Sequence, residues 1–143
     1  MIKQMSLYDA LILHPECEEL ILHKTSGMGG ILNCIKQDPH GLTYNVRFAK
    51  SAMVWLYFQK ENIVAWSWLF QKKAQGSVRH LSFFVFCKSE IRKKGIGREL
   101  FYLAKEMTRK KHRRMLVYPW NIRSDRFYDS LNVPRENQLD WIS

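Results

Sequence analysis

The sequence predicts a single mixed α/β domain. Three observations carry that expectation. Two aromatic and β-branched runs, residues 52–59 and 63–70, are separated only by "KEN" and so form an antiparallel hairpin. A third apolar run, residues 80–87, is followed by a switch of hydrophobic period from two to about 3.6. A further strand-like run at 114–120 is followed in turn by a short helical one at 124–131. At 143 residues the chain is long enough to bury a core as one domain, 1–143.

The N-terminal segment, 1–40, reads as helical. Residues 16–24 begin after Pro15, with acids early and Lys24 late, as a helix dipole prefers. "TSGMGG" at 25–30 ends that helix. It lacks the closing Gly-Lys-Ser/Thr of a Walker loop. Residues 31–37 suit a short second helix, and "DPHG" at 38–41 is a turn. After the hairpin, "AQGS" at 74–77 turns the chain into residues 80–87. From Gly97, Leu100, Leu103, Ala104 and Met107 mark one face of a helix that ends in a run of cations. Ser124 is placed to cap the last helix. "QLDWIS" at 138–143 leaves room for one closing strand.

Composition excludes several classes. Apolar residues make up 46% of the chain and aromatics 13%, too many for a disordered polypeptide. No apolar run approaches the ~20 residues that a bilayer span needs. The N-terminus carries Asp9 and His14 and lacks a signal-peptide pattern, so it reads as part of the mature fold. The three cysteines are widely spaced, with no C-x-x-C. That argues for a reducing, cytoplasmic setting and against a zinc site or a disulfide framework.

Net charge is +10, and it is local. Residues 88–114 hold eleven Lys and Arg against three Glu. Within that stretch, "RKKGIG" lies at the joint of a strand and a helix. There the first helical N–H groups are unpaired, and glycine lets a ligand approach the backbone. The dipole adds positive potential, so the joint suits an anion, phosphate above all. Arg92, Lys93, Lys94 and Arg98 add full charges at its rim.

Arg92 to Gly97, "RKKGIG", resembles the Q/R-x-x-G-x-G/A signature of the GCN5-related N-acetyltransferase (GNAT) superfamily. The family's second signature is matched by "NIRSDRFY": Asn121, Ser124, Phe127 and Tyr128. Both occur in the family's order, and the resemblance covers residues 42–131. A dinucleotide-binding Rossmann turn does not fit, since the third glycine and the later acidic residue are missing.

The resemblance implies the family's fold. That is a mixed, mostly antiparallel sheet flanked by helices, with strands 4 and 5 splayed and, here, a shortened C-terminus. It also implies an acetyl-CoA-dependent N-acetyltransferase acting by direct attack of a primary amine: a protein lysine, an N-terminus or a small amine. By resemblance, the backbone of Arg92, Lys93, Lys94, Gly95, Ile96, Gly97 and Arg98 cradles the pyrophosphate. Val85 and Cys87 pair with the pantetheine arm, and the Val85 amide polarises the acetyl carbonyl. Asn121 bonds the pantetheine, and Tyr128 protonates the departing thiolate. No metal is implied.

Two departures matter. Some family members carry a Glu eleven residues before the Q/R position, where this chain has Leu81. His80, Ser82 or a water relay is left to take the amine's proton. The shortened C-terminus leaves the acceptor side open to a large acceptor, or completed by a second subunit in a homodimer. Two other readings stand beside the enzyme. One is a coenzyme A-binding GNAT fold without catalysis. The other is a nucleic-acid-binding module using the basic stretch, with Trp55, Trp66 and Trp68 as stacking surfaces.

Overall fold

Hydrogen-bonding demand explains most of the elements, including two that local pattern does not announce. The computed structural model describes residues 1–23, 30–71, 80–92, 94–117, 122–131 and 140–142. The chain divides into two compact units, Met1–Trp66 and Ser67–Ser143.

The first unit opens with a strand, β1 (Ile2–Ser6), where the sequence suggested nothing extended. It pairs antiparallel with β2 (Met53–Gln59), from Ile2↔Tyr57 to Ser6↔Met53. Its side chains alternate poorly, so its conformation comes from the distant partner. The ladder is extended at one end by Phe58 N–H donating to the Met1 carbonyl at 2.8 Å and at the other by Leu7 N–H donating to Ala52 at 2.9 Å. The Trp55 indole N–H donates to Gln4 Oε1 at 3.0 Å across the pair.

Helix α1 (Leu7–Leu13) follows without a loop, because Ser6 accepts the Asp9 amide at 3.0 Å and caps it. The helix expected at 16–24 is instead a short π-helical turn, Glu18–His23. The Glu18 carboxylate accepts the Leu32 amide at 3.2 Å, in the first turn of α2 (Ile31–Gln37). That helix matches the sequence expectation. The "DPHG" turn is built on Asp38, whose carboxylate accepts from the Leu42 amide, the Thr43 amide and the Thr43 hydroxyl. Thr43 then caps α3 (Tyr44–Ser51), a helix the sequence reading did not foresee. Helices α1 and α2 both pack on α3. Leu7, Leu11, Ile21, Ile31, Val46 and Leu56 are among the buried side chains of this unit.

Strand β3 (Asn62–Phe70) joins β2 through Lys60 and Glu61, completing the expected hairpin. Every β3 residue after Asn62 is buried, which is why its apolar run shows no alternation. Strand order is β1-β2-β3 in the first unit and β3-β4-β5-β6 in the second, with β3 contributing residues to both.

In the second unit, β4 (His80–Cys87) runs parallel to β5 (Arg114–Val117), from His80↔Arg114 to Phe83↔Val117. β6 (Asp140–Ile142) pairs antiparallel with β5, within the 138–143 run expected to be a strand. Helix α4 (Ile96–Lys110) crosses from β4 to β5 and packs on both. Its buried face is Ile96, Leu100, Phe101, Ala104 and Thr108. That face is rotated from the expected one, and Leu103 is 38% exposed. Phe101 accounts for the rotation: it meets Phe83 of β4 edge-on, centroids 5.7 Å apart. The helix closes in a Schellman pattern, with His112 at φ 53° and the Arg113 amide reaching the Thr108 carbonyl. Helix α5 (Ile122–Ser130) starts before Ser124, so Ser124 lies inside it rather than capping it. The turn expected at 74–77 and the end of the strand expected at 114–120 lie outside the described residues.

Asp38 supplies a pH test. Its three acceptor contacts, the Thr43 amide foremost, hold its pKa at about 2, below the ordinary 3.8. A depressed carboxyl contributes above its unfolded pKa and loses that contribution as pH falls through the folded one. Thermal stability should therefore fall from about pH 4 toward pH 2. Asp38→Ala should flatten the profile in that window. An unchanged profile in the variant would remove Asp38 as the cause.

Candidate active site

The second unit alone holds most of the residues that the sequence singled out. Beyond the pair Phe83↔Val117, β4 continues through residues 84–87. Val85 and Cys87 lie on this strand end, both half-buried. A 3-10 turn, Ser89–Ile91, anchored by buried Ile91, then carries the chain to Arg92 and into α4.

Gly95 is the residue before α4 and has φ 83° and ψ 0°, a left-handed conformation that side chains resist. A Cβ there would meet nothing within 4 Å. Its backbone therefore faces open space at the positive end of a 15-residue helix. Exposed Lys94 and Arg98 flank it. The arrangement can seat an anion on the unpaired amides of the first turn. Lys93 and Asn121 lie outside the described residues.

Gly97 is a different case. A Cβ there would lie 3.3 Å from Phe127 Cε1 and 3.5 Å from Cys87 Sγ. Its absent side chain lets α4 close onto α5 and the end of β4. One glycine shapes the loop, and the other permits packing.

Tyr128 is 1% exposed, set edge-on to Phe101 and Phe127 with centroids at 6.4 and 5.2 Å. Burial, only partly offset by nearby Arg92, raises the Cys87 thiol to about 11. It is a thiol at neutral pH and a poor nucleophile. Buried Ser82 and half-buried Leu81 share β4 with His80, whose backbone pairs opposite Arg114.

Arg92 does not point its Nε at the anion seat. That atom donates to the Cys87 carbonyl at 2.8 Å, and its guanidinium carbon lies 5.9 Å from the centre of the Phe86 ring. Sequence reasoning placed this charge on the rim, because spacing shows which residues neighbour a loop and not which way they turn.

Trp55, Trp66 and Trp68 are all buried, at 1%, 1% and 0% exposure. They cannot present faces to nucleic-acid bases, so that reading loses its stacking surface. No helix among the described residues is long and apolar enough to cross a membrane. Among those residues, no group of three or more His, Cys, Asp or Glu is placed to hold a metal.

The two glycines give separable outcomes. Gly95→Ala should cost ~1–2 kcal/mol through backbone strain alone. Gly97→Val should cost ~1–3 kcal/mol by overpacking against Phe127 and Cys87. Thermal denaturation measures both. A Gly97→Val variant as stable as the parent would contradict the close approach.

The profile of the acetyltransferase (GNAT) family matches residues 29–132. No curated protein sequence matches the chain. Among solved structures, it is similar to the ribosomal-protein-alanine N-acetyltransferase from Brucella melitensis. That match has a TM-score of 0.59 at 16% identity, covering 99% of this chain and 96% of the other. It is also similar to the paia N-acetyltransferase from Thermoplasma acidophilum in complex with coenzyme A, with a TM-score of 0.57 at 16% identity, covering 99% and 97%. A third is yncA, a putative acetyltransferase from Salmonella typhimurium with its cofactor acetyl-CoA. Its TM-score is 0.56 at 13% identity, covering 99% and 90%.

Proposed function

The chain belongs to the GNAT family of acetyltransferases, and from that premise we propose that it transfers the acetyl group of acetyl-CoA to a primary amine by direct attack. One observation carries the reading: the end of β4, where Val85 and Cys87 lie, leads within a few residues to an open, left-handed glycine at the start of α4. A cosubstrate with a diphosphate at one end and an extended amide-bearing arm at the other matches both features. Two of the similar structures contain coenzyme A or acetyl-CoA, which supports the same ligand here.

In this reading the amides of residues 92–98 hold the pyrophosphate, with Lys93, Lys94 and Arg98 supplying charge. The backbone of Val85 and Cys87 aligns the pantetheine arm, with Asn121 as a further partner. A neutral amine attacks the acetyl carbonyl, and the Val85 amide stabilises the developing oxyanion. The thiolate of coenzyme A leaves and takes a proton from the Tyr128 hydroxyl. The attacking amine loses its proton to His80, Ser82 or a water relay. The protein chiefly aligns reactants and manages protons, and direct transfer uses no metal ion. The acceptor is a protein N-terminus, a protein lysine or a small amine, met in the cytoplasm on an open face or beside a second subunit.

Turnover of acetyl-CoA against a pooled amine and peptide library tests the activity. With an acceptor in hand, Tyr128→Phe should lower kcat by ~10²-fold or more, about 2.7 kcal/mol of barrier at 1.36 per tenfold. Acetyl-CoA affinity should stay within threefold of the parent, because the ring still packs. Parent-like turnover in the variant, with chemistry limiting, would make Tyr128 a packing residue and solvent the proton source.

A further inference from the structure

Arg92 begins the glycine loop, yet its side chain runs backwards along the chain. Its Nε–H donates to the carbonyl of Cys87, the last residue of β4, at 2.8 Å. The guanidinium carbon sits 5.9 Å from the centre of the Phe86 ring, so Phe86 and Cys87 both engage it. The main chain of Arg92 leaves the 3-10 turn in an extended conformation, with φ −67° and ψ 155°, and enters the loop ahead of α4. One residue thus ties the strand end to the loop that starts the helix.

We propose that Arg92 is a positioning residue. Its Nε–H clamps the strand end to the glycine loop, fixing the spacing between the acyl-aligning backbone and the anion seat. The proposal rests on the acetyl-CoA reading above. A cosubstrate of fixed length that touches both features is held productively only when their separation is fixed. Slippage of the strand end would move the Val85 and Cys87 amides relative to the helix start without removing either.

The donor atom makes the proposal specific. The bond is made by Nε, the first nitrogen of the side chain, rather than by the terminal guanidinium nitrogens. Glutamine carries an amide nitrogen the same number of bonds from Cα, so it can offer an N–H at the same place without charge. Lysine keeps the charge but places its nitrogen one atom further out, on a chain with no planar group to lie on Phe86. If the contact is a clamp, Gln replaces Arg and Lys does not. If the residue acts as a charge on phosphate, the order reverses.

The experiment measures acetyl-CoA binding by isothermal titration for the full chain and for Arg92→Gln, Arg92→Lys and Arg92→Ala. Each variant is checked for folding by thermal denaturation. The parent and Arg92→Gln should bind within threefold of one another at both low and high salt. Arg92→Lys and Arg92→Ala should bind at least tenfold more weakly while remaining folded. Parent-like affinity in Arg92→Lys with a tenfold loss in Arg92→Gln would overturn the clamp in favour of a charge contact. Equal affinity in all four proteins would also overturn it. A parent that binds no acetyl-CoA would overturn the ligand reading itself, an outcome seen before any variant is compared.

Discussion

The last backbone groups of a strand must be satisfied by some means other than its own ladder. β4 ends at Cys87, whose carbonyl accepts from the Arg92 side chain. The rest of the candidate site follows from how that strand end is managed. The Arg92 Nε takes the Cys87 carbonyl, the 3-10 turn at Ser89–Ile91 buries Ile91, and Gly95 turns the chain left-handed into α4. Backbone groups from a strand end and from a helix start are thereby presented within one short stretch of chain. The chemistry proposed for this protein needs those two kinds of backbone donor more than it needs reactive side chains.

The positive charge divides by position. Lys94 and Arg98 flank the helix start. Arg109, Lys110 and Lys111 lie at the other end of a 15-residue helix, a separation of ~22 Å at 1.5 Å per residue. Arg109 is engaged with Glu106 at 2.6 Å, and the cations of the last turn complement the helix dipole. The net charge of +10 is therefore a sum over separate local roles rather than a measure of one anion site.

Legibility in the sequence followed the range of the interactions. The hairpin and α2 show locally, in aromatic and β-branched runs and in a short helical span. β1 does not, because "IKQMS" becomes a strand only through a partner some fifty positions away. Helix α3 had a local signal, Asp38 and Thr43 arranged as successive caps, but "YNVRFAKS" has weak helical propensity and hid it. At the site, the glycine pair and the surrounding charge were readable, and so was the family. The different duties of Gly95 and Gly97 were not, since only the structure sets one against open space and the other against Phe127. Nor could spacing show that Arg92 folds back onto β4.

The most direct measurement is an amide-resolved NMR titration of the full chain with acetyl-CoA. The account predicts saturable shifts concentrated at the backbone amides of Val85, Cys87, Gly95, Ile96, Gly97 and Arg98, because a ligand held by backbone perturbs the amides that hold it. Shifts centred instead on the C-terminal turn of α4, around Lys110, Lys111 and His112, would contradict it. So would a saturating titration that leaves the strand end and the glycine loop unmoved.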